Sequence, residues 1–537
     1  MSQPTTRLDR VTGTVASIGY ASGPLFILDG GDGAYAPSGD PAVETKRLRA
    51  ALARSAAEIA ELMAKSNDET AAILEFQIAM IEDDNLSDPA FAAITTGADA
   101  ATAWTDALLA EVHGYEAAED AYFAARSADL RDISNRVLRA LSGATDRQPP
   151  PGAILHARDL TPTQFLSIDW KQGGGIALGA GSSASHVAML ARSRGVPMLV
   201  GTGPIAVATG DFVLLDAERG RLDILPDTEA RHEFLKASTA HLHLVQAARS
   251  HLRDPAVTAD GAPVEVLVNI AEPAEADTID IATCDGIGLM RTEFLFRHGL
   301  PDEETQYAAY RRVIEWAAGK PVTIRTVDAG GDKPVPGYTV EETNPFLGLR
   351  GIRLSLSRPE IFRVQIRALL RASFTGNVKV MLPMISALSE YTAAMNLFRE
   401  VSEELNAAGI PHDFPLIGIM VEVPAVAIHP EPFRDVAFFS IGSNDLAQYV
   451  MAAGRDNGAV AALNDVRHPA ILSLIHHVAN YGERYGIPVG LCGDAAGDPA
   501  AIPALIASGL RALSVSPAQL PLAKAAIART RTTDSAE

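Results

Sequence analysis

Eight short apolar runs in the second half of the chain constrain its fold more than any other feature. Each run is rich in Val, Ile and Leu and is bounded by Gly, Pro or Asp, which is typical of buried parallel strands. Amphipathic segments of helical length fill most of the gaps, and eight strand–helix units in series predict a (β/α)8 barrel. The runs are VEVLVNIA (264–271), GIGLMRTE (286–293), PVTIRTVD (321–328), VKVMLPM (378–384), PLIGIMVEVP (415–424), FFSIGSND (438–445), PVGLCGD (488–494) and RALSVSP (511–517).

Side chains that can do chemistry fall at or just beyond the carboxyl ends of these runs. In a (β/α)8 barrel the loops after those ends build the active site. Guanidinium groups make bidentate contacts to phosphate or carboxylate oxygens, and carboxylates are the hard oxygen ligands that Mg²⁺ prefers. The alternative is ordinary pairing of arginines with carboxylates around a barrel rim. The candidates are Arg291, Arg325 and Arg350 for an anion and Glu422 and Asp445 for a metal, with the amide of Asn444 beside them.

A thiol, Cys492, also ends one of the runs, in the sequence GLCGD. It could act as a general acid towards carbon, act as a nucleophile or simply fill space in the core, and for an isolated cysteine the last role is the commonest. The other cysteine, Cys284, is interpreted as buried filler. Two cysteines are too few for a disulfide framework and fit a reducing compartment.

The first half of the chain has a different pattern. Strand-like segments precede residue 30 and return after about residue 153, whereas four amphipathic helices are predicted between about 41 and 141. The opening strands have no partners in the helical region, so they are expected to pair with the later strands, with the helical block inserted between them. The predicted organisation is an α/β domain (1–30 and 145–228), a helical subdomain (40–144), a linker helix (229–255) and the barrel (256–530).

One histidine in the α/β domain stands at a helix start. The segment GAGSSASHVAMLARSRGVPMLVGTG (179–203) delivers His186 to a helix N-terminus, where unpaired N–H groups and the helix dipole favour an anion. A histidine there could carry a phosphoryl group on one ring nitrogen. The alternative is that His186 is an ordinary residue of the first helical turn, and the spacing alone favours that alternative.

Composition excludes several classes of protein. The net charge of −21 and the pI of about 5.1 argue against a nucleic-acid partner. No apolar run approaches the roughly 20 residues of a membrane span, and the N-terminal residues lack the apolar core of a signal peptide. Walker-A, GxGxxG-after-strand and HExxH motifs are absent from the sequence. These features predict a cytoplasmic protein without membrane insertion.

Longer strings carry a resemblance to a known family. GTVASIGYASG, GIGLMRTEFLF, IRTVDAGGDKPVPG, NPFLGLRGIR, GIMVEVPA, FFSIGSNDLAQYVMAAGRDN and VGLCGDAAGD are similar to enzyme I of the phosphoenolpyruvate-dependent phosphotransferase system, and the resemblance covers nearly the whole chain. The barrel motifs alone also resemble pyruvate phosphate dikinase and phosphoenolpyruvate synthase. The helical block, with AILEFQIAMIEDDNL, resembles the enzyme I subdomain that docks the phosphocarrier protein HPr, which the dikinases lack.

The resemblance implies a swivelling phosphohistidine α/β domain with an inserted helical bundle, followed by a (β/α)8 TIM-type barrel that binds phosphoenolpyruvate. It implies that His186 takes the phosphoryl group and passes it to an HPr-like carrier, with release of pyruvate, as the first step of sugar uptake. It further implies Mg²⁺ as cofactor and a homodimer formed through the barrel. The implied roles are phosphate contacts for Arg291, Arg325 and Arg455, a substrate contact for Asn444, metal ligands for Glu422 and Asp445, and proton donation to the enolate by Cys492.

Two departures from the family pattern keep other functions open. The usual GGxTSH is Gly181-Ser182-Ser183-Ala184-Ser185-His186 here, so Ser182 and Ala184 replace a glycine and a threonine close to the histidine. Asp494 replaces the usual glutamate after Cys492. The alternatives are a regulatory protein that senses phosphoenolpyruvate but transfers phosphate poorly, and a free-standing phosphoenolpyruvate-metabolising barrel enzyme with a vestigial front half.

Overall fold

The computed structural model describes residues 9–28, 35–63, 74, 77–117, 121–143, 148–181, 186–205, 207–296, 299–331, 335, 337–340, 342–454, 460 and 463–533. The chain divides into two compact units, Met1–His241 and Leu242–Glu537. The boundary falls inside one helix, Thr228–Ser250, which occupies the place predicted for the linker.

An eight-stranded sheet forms the framework of the first unit, in the order β1-β8-β7-β3-β4-β5-β6-β2. β3 pairs parallel to β4 and antiparallel to β7, which confirms that the opening strands pair with strands beyond residue 153. β4, β5 and β6 are buried along their whole length, which explains why they read as continuous apolar runs. The strands are β1 (Asp9–Thr12), β2 (Thr14–Ser17), β3 (Tyr20–Ile27), β4 (Ile154–Ala157), β5 (Gly175–Leu178), β6 (Met198–Val200), β7 (Phe212–Asp216) and β8 (Arg221–Ile224).

Helices between β3 and β4 form the inserted block. They span Pro41–Met63, Asp84–Thr95, Ala100–Ala117 and Ala121–Ser142, and their buried side chains, Trp104 among them, make a core of their own. Residues 69–73, 75 and 76 of the helix predicted over 69–83 lie outside the described residues, and 77–81 are helical. The short helices Pro162–Leu166 and His186–Arg194 lie among the later strands.

The helix Asp84–Thr95 is absent from the sequence-based expectation. Pro89 lies inside it and lacks the N–H that continues the helical hydrogen-bond ladder, so the segment reads as interrupted. Two features compensate in the folded chain. The side chain of Asp83 caps the helix by accepting a hydrogen bond from the N–H of Asn85, and Ile94 is buried in the helical core.

A buried carboxylate ties the start of the helical block together. Glu44 accepts hydrogen bonds from the hydroxyls of Tyr35 (2.5 Å) and Ser38 (2.6 Å) and from the N–H groups of Ser38 and Ala100 (2.8 Å each). Burial alone would raise the pKa of Glu44, but these donors outweigh it and lower the pKa to about 2.

Replacing Glu44 by alanine is expected to lower the unfolding free energy by about 2–3 kcal/mol, because buried donors lose their acceptor. The folded pKa lies below the ordinary value of 4.5, so this stabilisation is present above pH 4.5 and is lost as the pH falls towards 2. Urea denaturation at several pH values, followed through the unfolding transition of the first unit, measures both the loss of unfolding free energy and its pH dependence. Glu61→Ala, at an exposed position of the same helix, is the matched control, and equal losses in the two variants would contradict the prediction.

The second unit is a closed barrel of eight parallel strands in the order β9 to β16, so the predicted fold class is confirmed. Each of the eight apolar runs contains one strand. The barrel closes where Leu513 of β16 pairs with Val266 of β9. The strands are β9 (Glu265–Ile270), β10 (Ile287–Met290), β11 (Val322–Arg325), β12 (Val378–Leu382), β13 (Leu416–Val421), β14 (Phe439–Gly442), β15 (Val489–Cys492) and β16 (Ala512–Val515).

Helices surround this barrel, and their apolar faces pack with the strands into one large core. Strongly amphipathic segments such as Pro359–Ser373 place their buried residues on one side, as a helix that covers a sheet requires. The helices span Pro273–Ala276, Glu303–Trp316, Ile352–Ser357, Pro359–Ser373, Leu388–Ala407, Pro424–Ile428, Ser443–Met451, Pro469–Tyr485, Ile502–Ala507 and Leu520–Arg529.

Candidate active site

The predicted barrel residues share one end of the barrel, because all eight strands are parallel and the residues terminate or follow them. Arg325 and Cys492 are the last residues of β11 and β15. Arg291 follows β10, Glu422 follows β13, and Asn444 and Asp445 begin the helix after β14.

Arg325 is held on two sides by carboxylates. Its Nη2 donates to Oε1 of Glu293 at 2.9 Å, and its Nη1 lies 3.3 Å from Oδ2 of Asp328. The side chain is only 5% exposed, and its Nε is buried without a hydrogen-bond partner. The guanidinium is therefore fixed in position and retains a donor that the protein does not satisfy.

Arg350 is held still more completely, although it lies well beyond β11 in the chain. Its Nη2 and Nε donate to the two oxygens of Asp328 at 2.9 and 3.3 Å, and its Nη1 donates to the hydroxyl of Tyr449 at 3.1 Å. Nη1 also lies 3.5 Å from Oδ1 of Asp445. Gly330 allows this approach, since a Cβ at that residue (φ +103°) would lie 2.7 Å from the Cβ of Arg350.

Glu422 is a buried carboxylate, 1% exposed, with little protein to stabilise its charge. Its Oε1 accepts one hydrogen bond, from the N–H of Met384 at 2.6 Å. Burial and the neighbouring charges of Asp445 and Asp328 raise the pKa of Glu422 well above its usual range, although Arg325 and Arg350 oppose the shift. Met384 has a positive φ of 57°, a strained conformation that places its N–H at this carboxylate.

Asn444 and Asp494 contact each other across two adjacent loops. The Nδ2 of Asn444 donates to Oδ2 of Asp494 at 3.3 Å, and its Oδ1 accepts from the N–H of Asp494 at 3.2 Å. Gly493 (φ +108°) makes the turn between Cys492 and Asp494, where a Cβ would lie 2.9 Å from Oδ1 of Asn444. The carboxylate at 494 thus reaches the amide that follows β14.

Cys492 is buried inside the barrel among Leu289, Met381 and Met420. Its Sγ donates to the carbonyl of Ile441 at 3.6 Å and accepts from the hydroxyl of Ser440 at 3.7 Å. Burial raises the pKa of the Cys492 thiol, which outweighs the opposing effects of Ser440, Arg325 and Arg291. A thiol that keeps its proton at neutral pH suits a proton donor better than a nucleophile. Cys284 is likewise buried and unpaired, as its interpretation as filler requires.

Of the remaining predicted residues, some are exposed and others lie outside the part of the chain that the structure describes. Arg291 is exposed: its backbone N–H donates to the carbonyl of Ile270 at 3.1 Å, while its side chain makes no hydrogen bond or ion pair with another described residue. Arg455 lies outside the described residues, as do Ser182 and Ala184. His186 begins the helix His186–Arg194, as predicted, but its side chain is not among those described.

Known proteins match most of this chain. Its residues 12–126, 149–220 and 246–532 match the models of the N-terminal, mobile and PEP-binding domains of PEP-utilising enzymes. The phosphoenolpyruvate-protein phosphotransferase of Geobacillus stearothermophilus is 38% identical over 96% of this chain and 92% of its own length. The proteins of the same name from Bacillus sp. (strain S) and Haloferax volcanii are also 38% identical, over 96% and 87% of this chain.

The chain belongs to the phosphoenolpyruvate-protein phosphotransferase family. The expected family is therefore confirmed, and the barrel whose mouth holds the residues described above is the family's PEP-binding domain.

The donor set of this phosphotransferase fits a hard divalent cation. Glu422 is buried and under-satisfied, and Asp445 lies close enough to raise its pKa, so a cation between them would relieve both charges. In the described ranges no group of three or more His, Cys, Asp or Glu side chains is placed to hold a metal by itself. A cation at Glu422 and Asp445 would need further oxygen ligands from substrate or water, which is the usual manner of Mg²⁺.

Three residues of the phosphotransferase site escaped the sequence-based prediction, namely Glu293, Asp328 and Tyr449. A signal existed for the first two, because each lies two or three residues after a predicted arginine at a strand end. Acidic residues beside arginines are common on any surface, so only their burial distinguishes them. No sequence pattern indicated Tyr449, because the hydroxyl that accepts from Arg350 lies 99 residues away in the chain.

The described helices of this phosphotransferase include none that has the length and apolar character to cross a lipid bilayer.

Proposed function

We propose that this chain takes the phosphoryl group of phosphoenolpyruvate onto His186 and passes it to an HPr-like phosphocarrier protein, with release of pyruvate, as the first step of a phosphotransferase system for sugar uptake. The observation that carries this proposal is the barrel mouth, where buried arginines, an under-satisfied carboxylate and a protonated thiol lie at the same end of the barrel. A three-carbon phosphorylated acid needs cationic contacts for its oxygens and a proton for its departing carbon, and this set supplies both.

In the proposed reaction, Arg325, Arg350 and the exposed Arg291 bind and orient the anionic substrate. A ring nitrogen of His186, which we take to be Nε2, attacks phosphorus while the bond from phosphorus to the enolate oxygen breaks. The enolate carbon then accepts the proton of the Cys492 thiol, which completes pyruvate, and solvent returns a proton to the sulfur. A divalent cation at Glu422 and Asp445, which we propose to be Mg²⁺, would supply positive charge to the transferring phosphoryl and enolate oxygens.

Replacing Cys492 by alanine is expected to slow pyruvate formation about 100-fold, because proton donation by a positioned acid contributes on that order. The divalent-cation affinity should change little, since the sulfur contacts Ser440 and Ile441 rather than the carboxylates. Coupled pyruvate assays and calorimetric titration with Mg²⁺ measure the two quantities. Cys284→Ala, at the chain's other buried thiol, is the control, and a larger loss of Mg²⁺ affinity than of rate would contradict the general-acid role.

Incubation of the purified chain with radiolabelled phosphoenolpyruvate and Mg²⁺ tests the proposed function. The labelled protein is expected to lose its label in acid, to keep it in base, and to pass it to an added HPr-like carrier. Binding of phosphoenolpyruvate without labelling would favour a sensing protein with impaired transfer. Release of pyruvate without labelling would favour a free-standing phosphoenolpyruvate-metabolising enzyme.

The partners and setting follow from the same proposal. We expect a homodimer formed through the barrel, which sedimentation of the intact chain would detect. We also place the reaction in the cytoplasm, because the two cysteines are both unpaired and buried and so suit a reducing compartment. Neither nucleic acid nor insertion into a membrane is expected, given the net charge of −21 and the helices described above.

A further inference from the structure

We infer that Asp328 is the positioning residue of this site, which sets the spacing and orientation of the two arginines, Arg325 and Arg350, that receive the substrate anion. The inference rests on the proposed function and deepens it by naming the group that prepares the anion site before substrate arrives.

The geometry places Asp328 between the two guanidinium groups. Oδ2 is 2.9 Å from Nη2 of Arg350 and 3.3 Å from Nη1 of Arg325, while Oδ1 accepts from Nε of Arg350 at 3.3 Å. Asp328 is 1% exposed, and the side chains of Arg325 and Arg350 are 5% and 2% exposed. A single carboxylate therefore links Arg325, at the end of β11, to Arg350. Arg350 lies 22 residues beyond Asp328 in the chain, just before the helix Ile352–Ser357.

The linking carboxylate is itself fixed. The N–H of Asp328 donates at 3.0 Å to Oε1 of Glu293, the same oxygen that accepts from Arg325. The preceding N–H, of Val327, donates to Oε1 of buried Gln365 at 3.0 Å. Neither backbone nor side chain of Asp328 can shift without breaking hydrogen bonds in a water-poor region, so the position of the arginines is set by a rigid group.

The charges explain why an acid is needed between two cations. Two guanidinium groups held this close would repel each other, and each has several rotatable bonds, so without Asp328 they would spread apart and sample many positions. With Asp328 and Glu293 in place the arginines are held ready, and the ordering cost does not fall on the bound substrate. Both oxygens of Asp328 contact a guanidinium group, which separates its role from that of Glu422, whose Oε1 accepts from the backbone N–H of Met384.

The test compares Asp328→Asn and Asp328→Glu with the matched control Glu303→Gln. Glu303 also bridges two arginines, Arg367 at 2.7 Å and Arg371 at 2.6 Å, but on the outer helices. Both Asp328 variants are expected to lower kcat for pyruvate formation about 100-fold, the order expected when reacting groups are misplaced by about 1 Å. KM for phosphoenolpyruvate should rise less than tenfold, because both arginines remain and still attract the anion.

The charge-conserving Asp328→Glu variant keeps the test valid if loss of the buried acid in Asp328→Asn weakens folding. Urea unfolding of each variant shows whether it is folded under assay conditions. A folded Asp328→Glu protein with kcat within threefold of wild type would overturn the inference, as would an equal loss in Glu303→Gln.

Failure of the proposed function would look different. In that case wild-type protein itself would form no labelled histidine. Calorimetric titration with phosphoenolpyruvate would then decide the role of Asp328, since the arginine spacing governs binding as well. An affinity about three- to tenfold weaker in Asp328→Glu than in Glu303→Gln would support the inference, and equal affinities would overturn it.

Discussion

Replacing His186 by alanine should abolish labelling of the protein by phosphoenolpyruvate, with a loss of at least about 10⁴-fold, because the substitution removes the proposed nucleophile altogether. The affinity for phosphoenolpyruvate should stay within about twofold of wild type. The proposed binding residues belong to the closed barrel of the second unit, which forms its own core, whereas His186 belongs to the first unit. Radiolabel incorporation and calorimetric titration with phosphoenolpyruvate measure the two quantities on the same preparation.

His232→Ala is the control for this experiment, because His232 is an exposed histidine on the helix Thr228–Ser250. Label that survives in His186→Ala would show that another residue accepts the phosphoryl group. Wild-type protein that binds phosphoenolpyruvate and takes up no label would instead indicate that Ser182 and Ala184 have disabled the turn, and the chain would act as a sensor.

The second large effect is expected for Glu422→Gln, which should lower divalent-cation-dependent turnover by about 10³-fold, equivalent to about 4 kcal/mol of lost transition-state stabilisation. Glutamine keeps the shape and the acceptor for the N–H of Met384 but removes the charge that a cation requires. Titration with Mg²⁺ and turnover at saturating Mg²⁺ measure the effect. Glu265→Gln is the control, because Glu265 is an exposed glutamate at the opposite end of the barrel.

Stability distinguishes this loss of function from a loss of folding. The folded pKa of Glu422 is raised, so the charged form opposes folding, and stability without a cation falls as the pH rises from about 4.5 through the folded pKa. Glu422→Gln removes that penalty and should be at least as stable as wild type in the presence of a chelator. A variant that is less stable in chelator, or that keeps its turnover, would contradict the assignment of Glu422 to the metal.

The strands of the barrel could be predicted because buried parallel strands need no polar face, so each leaves an uninterrupted apolar run. The helix Asp84–Thr95 could not be predicted, because Pro89 lowers the local helix propensity of the segment. The capping by Asp83 and the packing of Ile94 stabilise the helix in the folded chain. Propensity is a weak guide wherever tertiary contacts decide the outcome.

The candidate site divides in the same way. Arg325, Glu422 and Cys492 could be predicted, since parallel strands bring their carboxyl ends to one face whatever the details of packing. Asp328 and Glu293 lie at the same ends but look like ordinary acidic neighbours of arginines. Their importance depends on burial and on which guanidinium each one meets, and neither property is encoded in local spacing.

Local patterns in the chain predict the barrel, the strand ends that carry its chemistry and the helix that begins at His186, because apolar periodicity and chain direction survive into the fold. Long-range packing pairs Asp328 with both Arg325 and Arg350 and brings Tyr449 to Arg350. It also leaves Glu422 with few partners among the described residues. Ion pairs form where loops from separate strands converge. The pKa of a carboxylate such as Glu422 is raised at this end of the barrel because packing excludes water from it.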